Sequence, residues 1–407
     1  MASSTSPRIG VFHPGTQHSR QTALAFQEAK QLGWYATSDG APSGPFRAGL
    51  LRRQMEYHPN SPSPSYPDAL LTRRFVTLSR LEALTVRLGE RVAAWGEQRG
   101  SRRFMRDIIK LAEREPVDVL WGFGGYALEV FRWAKQRGIR CVLDQADAHP
   151  AFRNDALAAE WDRHPDFFAL DYAPIARGRI ARQDEELALA DLVVARSEFC
   201  ARTLRDQGCD AGKIRVVPHG YDDAAFPTSY PDRAPLSDRP AQIVFIGDIS
   251  PASGIAYLLE AFRGVPPERA TLTLIGPLHM PQTTFARYAA FVDLVPGLPP
   301  TGLIHHLLAA DGFVLPCLYE GEGPGLCEAL GAGLGIIQSS FADTPTIHGR
   351  NGVVLDQLSQ EGLAQAIEDA LNPPEQLAQW GRESWFMRPE RSWTTYRRTV
   401  VRTVAAV

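Results

Sequence analysis

Residues 312–340 constrain the fold of this 407-residue chain more than any other stretch. The apolar run that opens it predicts a buried strand, which ends at Glu320. A glycine-rich turn follows, then a short helix that begins near Pro324, and residues 334–338 predict the next strand. This order is typical of a parallel sheet covered by helices, and it places Glu320 and Glu328 at the carboxyl edge, where open α/β sheets bind ligands.

The two glutamates and the glycines between them suggest a site for a nucleotide sugar. A loop carboxylate such as Glu320 can accept hydrogen bonds from vicinal sugar hydroxyls, and a carboxylate in a first helical turn, such as Glu328, can hold a ribose diol. Free backbone N–H groups between them favour an anion such as a diphosphate. Alternatively, Glu328 merely complements the helix dipole and Glu320 is a solvated loop residue.

Length predicts two domains, with three as the outer bound, and composition predicts a soluble protein in a reducing compartment. The apolar content of 44% is ordinary, and a net charge of −3 gives no global reason to expect nucleic acid as a partner. The five cysteines include no C-x-x-C pair, which argues against a disulfide framework or a zinc site. The first residues lack the features of a signal peptide, and no apolar run approaches a membrane span, so we expect a cytoplasmic protein.

A basic, proline- and serine-rich segment at residues 40–115 interrupts the first half of the chain. Ser79 and Glu82 form the spacing of a capping box, which predicts a helix over about residues 80–99. The excess of arginine in this segment has two interpretations. It is either a solvated face or a surface for peripheral contact with an anionic membrane or a phosphorylated acceptor.

Strands and helices alternate in two series along the chain, one before and one after a stretch rich in proline and aspartate. We therefore expect an N-terminal domain over residues 1–218, a linker over 219–240, a second domain over 241–385 and a final helix over 386–407. The first strand is predicted at residues 8–13, and the helix after it is predicted to end at Gly33.

Successive segments then resemble the blocks of the family-4 retaining glycosyltransferases over about residues 110–400. The resemblance is carried, in order, by ADLVVARSEFCARTL, KIRVVPHGYD, IVFIGDISPASGIAYLLEAF, LPPTGLIHHLLAADGFVLPCLYEGEGPGLCEALGAGLGII and SWTTYRRTV. It implies the α/β GT-B fold, which has two Rossmann-like, doubly wound domains with an interdomain cleft. It also implies a C-terminal helix, containing Trp393 and Tyr396, that crosses back to the first domain.

The resemblance also implies roles for individual residues. Glu320 would contact the donor sugar, Glu328 the ribose and Gly15 the diphosphate, while His149 is the candidate for the histidine that contacts the donor sugar. The catalytic residues so implied are His149 and Glu320, and the donor-binding residues are Gly15, Gly247, Gly276, Glu322, Gly323, Gly325 and Glu328.

Two departures from the family pattern concern the diphosphate. The arginine and the lysine that usually hold it are replaced by Asp248 and Ser253. Two charge-assisted hydrogen bonds, each worth roughly 1.5–3 kcal/mol, are thereby lost. Substitute cations are sought in Arg287, His279 and Arg20.

The predicted function is transfer of a sugar from a nucleotide-sugar donor to an acceptor hydroxyl, with retention of configuration. No metal and no cofactor is expected, and the acceptor is a glycan, a lipid-linked molecule or a small molecule. Two alternatives remain on the same fold. One is a non-catalytic partner or regulatory subunit, and the other is a nucleotide-sugar 2-epimerase.

Overall fold

The computed structural model describes residues 6–15, 18–37, 90–170, 172–319, 325–342 and 345–405. Glu320, Glu322 and Gly323 lie outside these residues, as do the proposed capping box at Ser79 and most of the basic segment.

The first domain is built on a six-stranded parallel sheet in the order β2-β1-β3-β4-β5-β6. Its strands are β1 (Ile9–Phe12), β2 (Leu32–Ala36), β3 (Val119–Phe123), β4 (Arg140–Gln145), β5 (Leu192–Ala195) and β6 (Ile214–Val216). Its helices are α1 (Ser19–Glu28), α2 (Glu90–Arg114), α3 (Leu128–Lys135), α4 (Pro150–Arg163), α5 (Arg177–Leu189) and α6 (Glu198–Asp206).

The second domain repeats this plan with the strand order β12-β11-β10-β7-β8-β9. Its strands are β7 (Ala241–Ile246), β8 (Ala270–Ile275), β9 (Val292–Val295), β10 (Gly312–Leu315), β11 (Gly335–Ser339) and β12 (Gly352–Leu355). The helices that follow in the chain are α7 (Ile255–Phe262), α8 (Gln282–Phe285), α9 (Pro300–Ala309), α10 (Gly325–Gly331), α11 (Gln360–Leu371), α12 (Gln376–Met387) and α13 (Trp393–Ala405). Two doubly wound parallel sheets confirm the predicted fold class.

The prediction that Gly33 ends the first helix is wrong. Helix α1 ends near Glu28, Lys30 adopts a left-handed conformation (φ 59°), and Gly33 lies inside β2. A Cβ atom at Gly33 would approach Val117 Cγ1 to 2.7 Å. Residue 33 is therefore glycine because the Val117 side chain packs closely against its backbone, and it does not terminate a helix.

Helix α13 returns to the first domain, as the resemblance implies. Tyr396 and Val400 are buried against the face of the first sheet that carries Val11 and Trp121. The Tyr396 hydroxyl lies 2.8 Å from Thr22 Oγ1 on α1. The aromatic tail thus completes the core of the domain in which the chain began.

Helix α4 and the turn after it carry first-domain residues onto the second domain. Phe167 belongs to the same apolar cluster as the second-domain residue Tyr288, and their ring centroids lie 6.0 Å apart. Tyr257 on α7 donates a 2.9 Å hydrogen bond to the buried Glu160 carboxylate on α4. These contacts close one side of the space between the two sheets.

Candidate active site

The strand order of the second sheet reverses between β7 and β10, which pair at Gly312–Ile243 and Phe313–Val244. Open α/β sheets bind ligands beyond the carboxyl ends of strands at such a point. Helix α10 begins there: a Cβ atom at Gly325 would lie 3.2 Å from the Phe313 ring. The absence of a side chain at Gly325 therefore seats the start of α10 directly on the strand ends.

Gly247 and Gly276 end neighbouring strands and approach each other closely. A Cβ atom at Gly276 (φ 148°) would lie 2.0 Å from the Gly247 carbonyl oxygen. The close backbone approach thus explains why residue 276 is glycine, and a φ of 145° explains why residue 247 is. Their contact with a donor, like that of Gly325, stays a prediction.

Glu328 lies in the first turn of α10 with its carboxylate largely out of solvent. Its Oε2 atom is buried and has no hydrogen-bond partner among the described residues. Burial raises the pKa of Glu328 to about 7. A buried acceptor without a donor costs free energy, and a ligand hydroxyl would relieve that cost.

The first sheet reverses its strand order between β1 and β3, and Gly15 lies just beyond the end of β1. The Gly15 carbonyl accepts a 2.9 Å hydrogen bond from Thr37 Oγ1. The ring of His13 packs beneath the turn, since a Cβ atom at Gly15 would lie 3.2 Å from it. Gly15 therefore occupies the edge position that its predicted role requires, and its contact with a diphosphate stays a prediction.

His18 links the two strand-order reversals, a feature that the sequence had not indicated. Its Nε2 lies 3.0 Å from Asp144 Oδ2, which also accepts a 3.1 Å bond from Trp121 Nε1. Its ring centroid is 3.9 Å from that of His219, whose carbonyl accepts a hydrogen bond from Cys327 Sγ at 3.5 Å. Because Cys327 precedes Glu328, this chain of contacts brings the Gly15 loop and α10 to one cleft.

His149 is the N-cap of α4, and it is 1% exposed. Its Nδ1 accepts a bond from Ala151 N at 3.2 Å, so the proton sits on Nε2, which donates to Asp184 Oδ1 at 2.8 Å. Both ring nitrogens therefore have partners within the first domain. This geometry favours a helix-capping role, and contact between His149 and the donor sugar stays a prediction.

The substitute cations sought in the sequence are dispersed over the two domains. Arg287 pairs with Asp166 at the surface. His279 lies 3.9 Å from Asp248, and both side chains are mostly exposed. Arg20 lies on α1 of the first domain. The Ser253 hydroxyl donates to the Ser250 carbonyl at 2.7 Å, which makes it part of a local turn.

Two arginines of the first domain, Arg153 and Arg196, were missed by sequence reasoning. Arg153 NH1 lies 3.2 Å from Asp147 Oδ2, and its guanidinium lies 5.2 Å from the centroid of the Tyr319 ring. Arg196 follows β5 and is 4% exposed. Their only sequence signal is their place just after the ends of β4 and β5.

Within the described residues, no cluster of three or more His, Cys, Asp or Glu side chains is arranged to hold a metal ion. No helix in that part of the chain is both long enough and apolar enough to cross a bilayer.

Comparisons with known proteins agree with this architecture. Residues 63–225 match the family model described as Glycosyltransferase Family 4, and residues 240–373 match the model described as Glycosyl transferases group 1. The alpha-maltose-1-phosphate synthase of Mycolicibacterium smegmatis is 25% identical over 46% of this chain and 58% of its own length. The D-inositol 3-phosphate glycosyltransferase of Pseudarthrobacter chlorophenolicus is 24% identical over 50% of this chain and 53% of its own. The chain thus spans about half the length of these curated relatives.

Solved structures share the fold over nearly the whole chain. Sucrose-phosphate synthase from Thermosynechococcus elongatus superposes with a TM-score of 0.69 at 16% identity, covering 98% of each chain. HepE of Anabaena, solved in complex with UDP-glucose, superposes with a TM-score of 0.63 at 16% identity. The match covers 98% of this chain and 100% of the HepE chain. The two family models lie on the two sheets in the expected order and between them match most of the sequence. The chain belongs to the family-4 glycosyltransferases.

Proposed function

We propose that the protein transfers a sugar from a nucleotide-sugar donor to an acceptor hydroxyl, with retention of anomeric configuration. The observation that carries this proposal is Glu328, whose buried Oε2 has no donor among the described residues and which lies at the strand-order reversal, the point where open α/β sheets bind ligands. A ribose diol supplies two O–H donors to such a carboxylate.

The donor assignment also draws support from HepE, which shares the fold and was solved with UDP-glucose. In our proposal the nucleotide lies on the second domain, with its ribose at Glu328, its diphosphate between the two sheets and its sugar at the loop of Glu320. The acceptor approaches from the first domain. The names of the two curated relatives mention phosphorylated compounds, which makes small phosphorylated acceptors the first class to test.

In the transfer step, an oxygen of the acceptor hydroxyl forms a bond to the anomeric carbon while the bond from that carbon to the phosphate oxygen breaks. The leaving nucleoside diphosphate takes the electron pair, and one of its phosphate oxygens takes the acceptor proton. Attack on the face that the leaving group vacates retains the configuration. The protein contributes orientation and electrostatic stabilisation of the leaving charge, for which fixed cations and amides suffice without a divalent metal.

A second candidate function is binding of the donor without transfer. It is favoured by Asp248 and Ser253, which stand where the family usually has the cations that hold the diphosphate. Such a chain would act as a partner or regulatory subunit.

The test is calorimetric titration with UDP-, GDP-, ADP- and dTDP-sugars, followed by an assay of nucleoside diphosphate release with a set of acceptors. We expect one donor to bind and to be consumed, and NMR of the product to show the donor's anomeric configuration. Retained activity in EDTA would support the metal-free step, and an inverted product would contradict the retaining one. Binding without release would favour the second candidate, and failure of every donor to bind would contradict both.

Glu320→Ala tests the residue assigned to the sugar. We expect transfer to fall by at least tenfold while the nucleoside diphosphate alone still binds. Unchanged transfer would remove Glu320 from the site.

A further inference from the structure

The proposed function requires a group that neutralises the negative charge of the donor's diphosphate. The donor's diphosphate carries negative charge, yet the two positions of the second domain that usually neutralise it hold Asp248 and Ser253. The Asp248 side chain is 63% exposed, and Ser253 is engaged in its own turn. If a cation assists the leaving group, it has to come from elsewhere.

The first domain presents such a cation across the cleft. Arg153 lies one turn into α4, which starts beside the end of β4, and its guanidinium packs over the ring of Tyr319 in the second domain. Tyr319 directly precedes Glu320 and the glycine-rich loop. Among the cation–π contacts in the described part of the chain, this one joins an N-terminal-domain cation to the strand end that carries the predicted donor site.

Arg153 shares its carboxylate partner, Asp147, with a second arginine. Arg196 also acts on Asp147 and favours the ionised carboxylate. Burial nevertheless raises the pKa of Asp147, and its Oδ1 has no hydrogen-bond partner among the described residues. Two arginines therefore act on a carboxylate that is incompletely bonded, while the nearby His18 is paired with Asp144.

We propose that Arg153 is the diphosphate-binding cation of this protein, supplied by the first domain in place of the two cations that the second domain lacks. This inference rests on the proposed function, since it concerns the same donor. A guanidinium can hold two phosphate oxygens at once, and Tyr319 keeps its plane fixed at the loop that binds the sugar. The diphosphate competes with Asp147 for the guanidinium.

With Arg153 in the first domain and the donor on the second, the cation reaches the diphosphate only when the two domains are closed. A diphosphate held by the second domain alone would miss its cation, while one held between the domains would reach it. Leaving-group stabilisation is then available only when α4 and the Tyr319 strand end are in contact.

The experiment compares a nucleoside diphosphate with its nucleoside. UDP, GDP and ADP are first titrated calorimetrically into the wild-type chain, and the tightest binder is kept with its matching nucleoside. Arg153→Gln should weaken the diphosphate at least tenfold and leave the nucleoside within twofold. It should also flatten the dependence of affinity on salt concentration. Asp147→Asn should tighten the diphosphate about threefold, because the competing carboxylate is gone.

Arg179→Gln is the matched control, because this exposed arginine on α5 lies outside the cluster. It should change neither affinity, and thermal melting should show that each variant is folded. Arg153→Lys should restore part of the diphosphate affinity.

If Arg153→Gln binds the diphosphate as the wild type does, or loses the nucleoside equally, the inference is wrong while the glycosyltransferase proposal stands. If the wild-type chain binds no nucleotide at all, both fall.

Discussion

Glu186 and Glu328 are two poorly exposed carboxylates whose pKa is raised to about 7 by burial, and they stand in opposite settings. Glu186, on α5, accepts hydrogen bonds from three backbone N–H groups at the start of α3: Gly125 at 2.6 Å and Ala127 and Leu128 at 3.0 Å each. Glu328 starts its own helix, and its Oε2 has no partner among the described residues. The Glu186 carboxylate satisfies backbone donors of a helix start, whereas the Glu328 carboxylate retains an acceptor without a donor among the described residues.

The difference teaches that a raised pKa alone does not mark a binding site. Burial raises the pKa of both groups, but only the hydrogen-bond inventory separates them. Variants of Glu186 and Glu328 test whether the first carboxylate acts on stability and the second on ligand binding.

The largest effect is expected on stability from Glu186→Ala. Three N–H groups at a helix start would lose their acceptor, so the free energy of unfolding should fall by about 3 kcal/mol. Urea denaturation measures this, and donor affinity should not change in the folded variant. Glu185→Ala is the control, because that neighbouring carboxylate makes only an exposed pair with Arg132 and should have little effect. An equally small effect from Glu186→Ala would contradict the structural role of Glu186.

Glu328→Ala should weaken donor binding without lowering stability. Loss of hydrogen bonds from a ribose diol to a charged acceptor should cost about 2 kcal/mol, or roughly thirtyfold in Kd. Calorimetry with the sugar nucleotide checks this. Glu361→Ala serves as the control, since Glu361 also lies in a first helical turn of the second domain but is exposed. Equal affinities for the two variants would show that Glu328 does not hold the donor.

The pH dependence of donor affinity gives a smaller and more specific signal. Only the ionised Glu328 accepts two hydrogen bonds, and its pKa near 7 means that this form grows about tenfold between pH 6 and pH 8. Donor affinity should therefore rise about tenfold over that range and then level off. Glu328→Gln should remove the dependence. A wild-type affinity that falls as pH rises would contradict the assignment.

The last expected effect is a pH-dependent gain of stability in Glu328→Gln without ligand. Since the folded-state pKa is raised above the ordinary 4.5, ionisation in the folded chain costs free energy that grows as pH rises from 4.5 to 7. Removing the charge should add about 3 kcal/mol to the free energy of unfolding at pH 8 and less than about 1 kcal/mol at pH 5. Glu186→Gln should show no such gain, because the amide cannot accept from all three N–H groups.

Most of the fold could be predicted from local pattern. Apolar runs flanked by glycine mark nearly every strand, and Ser197 caps α6 by accepting a 3.0 Å hydrogen bond from Cys200 N. The error at Gly33 lies where a local signal has a tertiary cause. A helix end is predicted there, but the glycine lies in β2 and fits a close approach of Val117. Neither β12 nor α11 was anticipated.

The site was predictable only in the part that is contiguous in the chain. Glu328 and the glycines lie on one strand–loop–helix unit, so their spacing alone places them at a sheet edge. Arg153 contacts Tyr319 because α4 packs on the second domain, and the His18 ring contacts the His219 ring between two loops. No spacing in the sequence encodes those contacts. The position of His149 after β4 could be predicted from the sequence, whereas the bonds of its ring nitrogens to Ala151 N and Asp184 could not.

The chain passes between its two halves at two places that lie side by side. Tyr221, on the outward crossing, exchanges backbone hydrogen bonds with the return crossing, accepting from Trp393 N at 3.1 Å and donating to Arg391 O at 2.9 Å. Gly220 leaves no room for a side chain there, since a Cβ atom would lie 2.5 Å from Trp393 N. The two crossings are thereby fixed to each other by backbone hydrogen bonds. Any opening of the far side, where α4 meets the second domain, would have to rotate about these crossings, and a bulkier residue at position 220 would push them apart.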